Sequence, residues 1–234
     1  MRQTLIILSL LILGCSPRKE QKDNNISADS LKVVKEQEPK LALTETNKCE
    51  QTKLSNQFDI AIDFKRYVDT TEIDQMNFLQ VVIKDKSSKT VIDSFSIKSS
   101  FIYSFMFLSC DSMTSYTTKF KADREIVDNY YGDVVVADFN FDGYDDIAVV
   151  NDGGGNGGPL YSFYLQSNDR KFIKDNFLTD LVSFFPSKFN SKDKTLATYV
   201  HAGVCGLGEN IYKLDKNKNI WTKKRHRIIN VCED

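Results

Sequence analysis

The chain has 234 residues, 41% of them hydrophobic and 12% aromatic, with 31 Lys and Arg against 32 Asp and Glu and a formal net charge of −1. So even a balance speaks against nucleic acid as a partner, because phosphate binding rests on a basic excess. The length suffices for one domain with a real core.

Met1-Arg2 is a short basic n-region, and Thr4 to Leu13 is an apolar run too short for a stable bilayer-spanning anchor. It reads as a signal peptide over 1–14. The run ends Ile12-Leu13-Gly14-Cys15, which resembles the lipobox of bacterial lipoproteins. That resemblance implies cleavage before Cys15, acylation of its thiol and attachment to a membrane through the lipid. The competing reading is an ordinary secretory signal with a stray cysteine.

Residues Ser16 to Lys48 are rich in Lys, Glu, Asp, Asn and Gln and hold no aromatic side chain. With Cys15 they form an expected tether, 15–48, whose r.m.s. reach as a flexible chain is roughly 30 Å.

From Cys49 to Asp234 the composition turns aromatic and β-branched, and helix signals become scarce. Phe58, Ile60, Ile62 and Phe64 alternate with polar residues and Ala61, the period of a half-buried strand. Phe78 to Lys84 and Val91 to Lys98 flank the polar turn Asp85 to Lys89 as a hairpin. Phe101 to Leu108 is apolar on both faces and is expected to be a central strand. Further strands are expected over Leu160–Gln166, Thr195–Val200, Asn210–Asp215 and Asn219–Arg225, with one helical turn near Asn176 to Val182. Short strands joined locally predict an all-β antiparallel meander in a domain spanning 49–234.

The most specific stretch is Asp138-Phe139-Asn140-Phe141-Asp142-Gly143-Tyr144-Asp145-Asp146, between Val134-Val135-Val136 and Ile147-Ala148-Val149-Val150. Oxygens of Asp138, Asn140, Asp142 and Asp146, with the Tyr144 carbonyl, have the spacing of an EF-hand-like Ca2+ loop, and Gly143 stands where the chain must turn sharply. Val149 replaces the bidentate Glu of an EF-hand, and both flanks favour strands, so a strand-loop-strand site is expected. The competing reading is an Asx-rich turn with solvated carboxylates.

At these residues the loop resembles the calcium-binding FG-GAP repeats of integrin-type propellers. The longer run Ala137 to Leu165, including Asn156-Gly157-Gly158-Pro159 and Tyr161-Ser162-Phe163-Tyr164, resembles a group of bacterial periplasmic lipoproteins. Some of that group are immunity proteins, inhibiting peptidoglycan-cleaving effectors of an antibacterial type IV secretion system. The resemblance implies a small β-propeller-like fold and bound Ca2+. It further implies residence in the bacterial envelope, with the outer membrane favoured, and a cell-wall hydrolase effector as partner. A surface module binding glycan or another envelope protein is the alternative.

With Cys15 acylated, Cys49, Cys110, Cys205 and Cys232 form an even set suited to an oxidising compartment. Three pairings are possible. Cys205 with Cys232 is favoured because it ties down the C-terminus, closing a loop for roughly 3 to 4 kcal/mol on the chain-entropy model; Cys49 would then pair with Cys110. Zinc is the weaker alternative, since no C-x-x-C or paired-histidine spacing occurs.

Enzyme signatures are thin: there are two histidines, His201 and His226, and no nucleophile elbow, zincin or phosphate-loop motif. A monomeric, non-enzymatic binding protein is expected. Candidate partner contacts are Asn156 and Gly157, in the glycine run from Gly153 to Gly158, and Tyr199 and His201, which share one strand face near Cys205. Against these stand a wide turn needing positive φ angles, and a core Tyr199 beside a turn-bonded His201.

Overall fold

The computed structural model describes residues 41–69, 75–115, 130–182 and 184–232. The expected signal peptide, Cys15 and most of the tether lie outside the described residues. The chain is all-β, its strands falling into three sheets taken up in chain order.

The first sheet is an antiparallel meander of β1 (Leu41–Gln51), β2 (Phe58–Asp69), β3 (Gln75–Asp85) and β4 (Val91–Ser99). Its inward face follows the alternation in the sequence. Phe58, Ile60, Ile62 and Phe64 are buried, and Ile60, Ile62 and Phe64 stand opposite Ile83, Val81 and Leu79 of β3. In the β3–β4 turn the Asp85 carboxylate accepts hydrogen bonds from the Ser87 and Ser88 amides at 2.9 and 2.7 Å. The turn therefore carries its own cap.

The second sheet orders β5 (Met113–Ser115), β6 (Val134–Ala137), β7 (Asp146–Asp152), β8 (Leu160–Gln166) and β9 (Phe172–Lys174). β5 runs parallel to β6, and the other neighbours are antiparallel. Val134 to Ala137 and Ile147 to Val150 are buried throughout, which explains their unbroken apolar runs. Phe139, Phe163, Phe185 and Phe189 pack against one another beside this sheet. The short helix α1 (Asn176–Asp180) starts where the Asp175 side chain accepts a hydrogen bond from the Leu178 amide at 2.8 Å.

The third sheet is the meander β10 (Lys188–Asn190), β11 (Thr195–His201), β12 (Gly206–Asp215) and β13 (Ile220–Asn230). Two disulfides bind the domain. Cys49 is joined to Cys110, and Cys205 to Cys232.

Three expectations need correction. The sheets are separate, and among the described residues no closed barrel or propeller ring forms. Phe101 to Leu108 is not a central strand but an irregular turn segment, because its backbone is bonded by side chains from elsewhere in the fold rather than by a sheet partner. Strand pairing also begins at Leu41, ahead of the expected Cys49 boundary: polar residues on β1 are tolerated because this edge strand faces solvent on one side.

Candidate functional site

The stretch from Asp138 to Asp146 links β6 to β7, so the expected strand-loop-strand layout is present. Its reversal uses two positive φ angles, 63° at Phe141 and 96° at Gly143. Around that turn the acidic oxygens face backbone amides. Asp138 accepts from the Asp142 and Gly143 amides, each at 2.9 Å, and Asn140 Oδ1 accepts from the Asp142 amide at 3.0 Å. Asp142 accepts from the Tyr144 amide at 2.8 Å and from Asn140 Nδ2 at 2.8 Å.

Asp146 is fully buried and accepts from the Phe139 and Gln166 amides, both at 2.8 Å. Burial pushes its carboxyl well above the usual carboxylate range, helped by the neighbouring Asp142 and Asp138 and opposed by the two amides. Burial likewise raises Asp138, and Asp142 again adds to the rise. Three carboxyl groups thus repel one another, while none of the ion pairs among the described residues engages them.

A hard, oxygen-only set of three carboxylates and one amide suits calcium chemistry. In this conformation the oxygens are committed to amides, and no group of three or more His, Cys, Asp or Glu among the described residues stands in metal-holding arrangement. Asp145 points elsewhere, accepting from the Ser55 hydroxyl at 2.6 Å. Tyr144 is exposed.

A second feature was not legible in the sequence. Between β4 and β5, Ile102, Met106 and Phe107 turn inward, while Phe101, Phe105 and Leu108 are 67%, 61% and 53% exposed. Two buried charged groups hold this aromatic loop from beneath. Arg66 donates to the Tyr103 carbonyl at 2.8 Å, the Ser104 carbonyl at 2.9 Å and Asn77 Oδ1 at 2.8 Å, and it pairs with Glu45. Asp133 accepts from the Phe107 amide at 2.7 Å, from the Tyr130 hydroxyl at 3.0 Å and from Ser112. Burial raises the Asp133 carboxyl, and these donors oppose the rise. The Asn47 side chain adds a bond to the Phe107 carbonyl at 2.7 Å.

The glycine run meets this loop. The Gly153 amide donates to the Phe101 carbonyl at 2.7 Å, and a Cβ on Gly153 would come within 2.4 Å of the Tyr103 ring. A side chain there would have to displace that ring. Asn156 and Gly157 lie in the short 3₁₀ turn Gly155–Gly157, which lies against β11, and a Cβ on Gly157 would strike the Phe184 ring at 2.0 Å. Tyr103, Phe105, Tyr130, Gly155 and Pro159 line a cavity of about 620 Å³ between loop and run.

On β11, Tyr199 is half-buried and donates to Glu209 at 3.0 Å, with Lys188 over its ring, whereas His201 is exposed at the strand end. Glu209 also takes hydrogen bonds from Arg225 and Arg227. Tyr199 is therefore engaged by neighbouring side chains at a half-buried position, neither in the core nor free.

Fold and surface together describe a disulfide-bonded all-β protein of three largely antiparallel sheets, with an acidic interstrand loop and an exposed aromatic loop. No family model matches the chain, and no curated protein matches it in sequence. A solved structure of a Xanthomonas type IV secretion system related protein is similar at 16% identity and a TM-score of 0.45, covering 81% of this chain and 90% of that chain. That is a distant structural relation.

Proposed function

We propose that this protein is a lipid-anchored, calcium-binding protein of the bacterial envelope that inhibits a peptidoglycan-degrading effector. The observation that carries the reading is the aromatic loop. Four large side chains, Phe101, Tyr103, Phe105 and Leu108, stand at the surface on a backbone fastened by buried Arg66 and Asp133. An exposed apolar cluster on a rigid base has the character of a protein-docking surface, since its ordering cost is met before the partner arrives.

The choice of partner rests on the resemblance of Ala137 to Leu165 to the immunity lipoproteins. The lipobox-like Ile12 to Cys15 and the two disulfides support an exported location. Calcium enters as a fold-stabilising ion: Asp138, Asn140, Asp142 and Asp146, with the Tyr144 carbonyl, would hold it, and its charge would relieve the repulsion among their carboxylates.

The test is complex formation. Size-exclusion chromatography with purified muramidases and chitinase-like hydrolases is expected to give a 1:1 complex with one of them. Phe105→Ser is expected to weaken it at least tenfold without lowering the melting temperature. An unweakened complex with that variant would remove the loop from the interface.

A further inference from the structure

A larger cleft, of about 790 Å³, opens where the last strand of the first sheet approaches the second sheet. β4 supplies Ser96, Lys98 and Ser99 to its wall, and β7 and β8 supply Asn151, Asp152, Leu160, Ser162 and Tyr164. Its chemistry differs from that of the aromatic loop's outer face. Hydroxyls from Ser96, Ser99, Ser100, Ser162 and Thr179 surround it, Lys98 and Lys174 are balanced by Asp152 and Asp180, and the exposed ring of Phe101 stands at the rim.

Two observations at Asn151 mark this wall as built. The pairing of β7 with β8 shifts register between Val150 and Asp152, so Asn151 sits at a bulge. Bulges of this kind re-aim a side chain. The Asn151 amide donates to Ser162 Oγ at 2.8 Å, yet its Oδ1 is buried with no hydrogen-bond partner. A buried unpaired amide oxygen is costly, of order 1–3 kcal/mol, and calls for an explanation. Tyr164, on the same wall, stacks its ring on Phe95 of β4 at 3.6 Å.

We infer that this cleft is a binding site for a neutral, hydroxyl-rich glycan segment. A sugar hydroxyl both donates and accepts, so it bonds equally well to the serine and threonine hydroxyls, and it would satisfy Asn151 Oδ1 once that side chain rotates to face the cleft. The balanced lysines and aspartates favour an uncharged ligand over an anionic one. The Phe101 ring offers a flat apolar face to the C–H side of a pyranose, and the volume lies in the range of small-molecule sites. This cleft adjoins the docking surface proposed above and shares Phe101 with it, so the two are told apart by Asn151→Leu, which touches only the cleft, and Phe105→Ser, which touches only the docking surface.

The experiment is isothermal titration of the mature protein with chitotetraose, cellotetraose and maltotetraose. At least one is expected to bind with a dissociation constant below about 1 mM. Asn151→Leu removes the unpaired oxygen, so it is expected to weaken binding at least tenfold while leaving the melting temperature unchanged or higher. Phe101→Ala, at an exposed position that folding does not depend on, is expected to weaken binding at least fivefold, and keeps the test decisive should Asn151→Leu fold poorly. No binding by any of the three sugars, or binding undiminished in Phe101→Ala, would overturn the proposal. So would binding of a neutral tetrapeptide in place of the sugars.

Discussion

Replacing Arg66 by Ala removes the donor that holds the aromatic loop. The side chain is 3% exposed, and its loss strips donors from the Tyr103 and Ser104 carbonyls and from Asn77 Oδ1, besides breaking the pair with Glu45. Hydrogen bonds to a charged group contribute about 1.5–3 kcal/mol each, so simple addition over the four partners gives about 6–12 kcal/mol, comparable with the whole stability of a domain. Those loop carbonyls lie near the surface, where water replaces part of the lost bonding. The expected cost is therefore that of breaking one buried pair, about 3–5 kcal/mol. For a domain of this size that lowers the melting temperature by roughly 6–20 °C. Arg66→Met restores the aliphatic packing over Phe64 but not the donors, and is expected to lose nearly as much. Thermal melts followed by near-ultraviolet circular dichroism, with chymotrypsin digestion reporting on Phe101, Tyr103 and Phe105, check both effects. A shift under 2 °C with unchanged resistance to digestion would refute the claim that Arg66 fastens the loop.

Millimolar calcium is expected to raise the melting temperature by the equivalent of roughly 1.4 to 4 kcal/mol, for a dissociation constant between micromolar and about 100 μM. Asp142→Ala is expected to abolish that rise; Asp145→Ala, which loses only its bond to Ser55, is expected to lower the baseline but keep the rise, and equal loss in both variants would refute the ligand set. At Glu209, burial opposes ionisation, but hydrogen bonds from Arg227, Tyr199 and Arg225 outweigh it and hold the carboxyl below its ordinary value. A depressed folded-state value contributes stability that is present above the unfolded pKa, about 4.3, and is lost as pH falls through the folded value. Glu209→Gln is thus expected to cost about 1–3 kcal/mol at pH 7 and less at pH 3, as urea titrations at the two pH values would show. Replacement of Cys15 by Ser is expected to move the native protein from the detergent phase to the aqueous phase, and a wild-type chain found in the aqueous phase would count against acylation.

Where one sheet face meets the core, the sequence pattern was readable. The alternation of Phe58, Ile60, Ile62 and Phe64, the polar turn at Asp85, and the unbroken Val134–Val136 and Ile147–Val150 runs each report local burial, and the strands follow them. The acidic loop was equally plain, because its residues are consecutive and its glycine marks the turn. Phe101 to Leu108 misled for the opposite reason. Its apolar content is split between an inward set and an outward set, and its backbone partners, Asn47, Arg66 and Asp133, are distant in sequence. Periodicity carries no information about such partners. The cleft around Asn151 was hidden for the same reason, since it joins β4 to β7 and β8.

The most direct test is turnover. Peptidoglycan hydrolysis by purified muramidases and chitinase-like hydrolases, measured as clearing of a cell-wall suspension, is to be followed while the protein is titrated in with 1 mM calcium. The account expects one such enzyme to stop at a 1:1 ratio and to recover its activity with the Phe101→Ser, Phe105→Ser double variant. Full activity of every hydrolase at tenfold molar excess of the protein would contradict it.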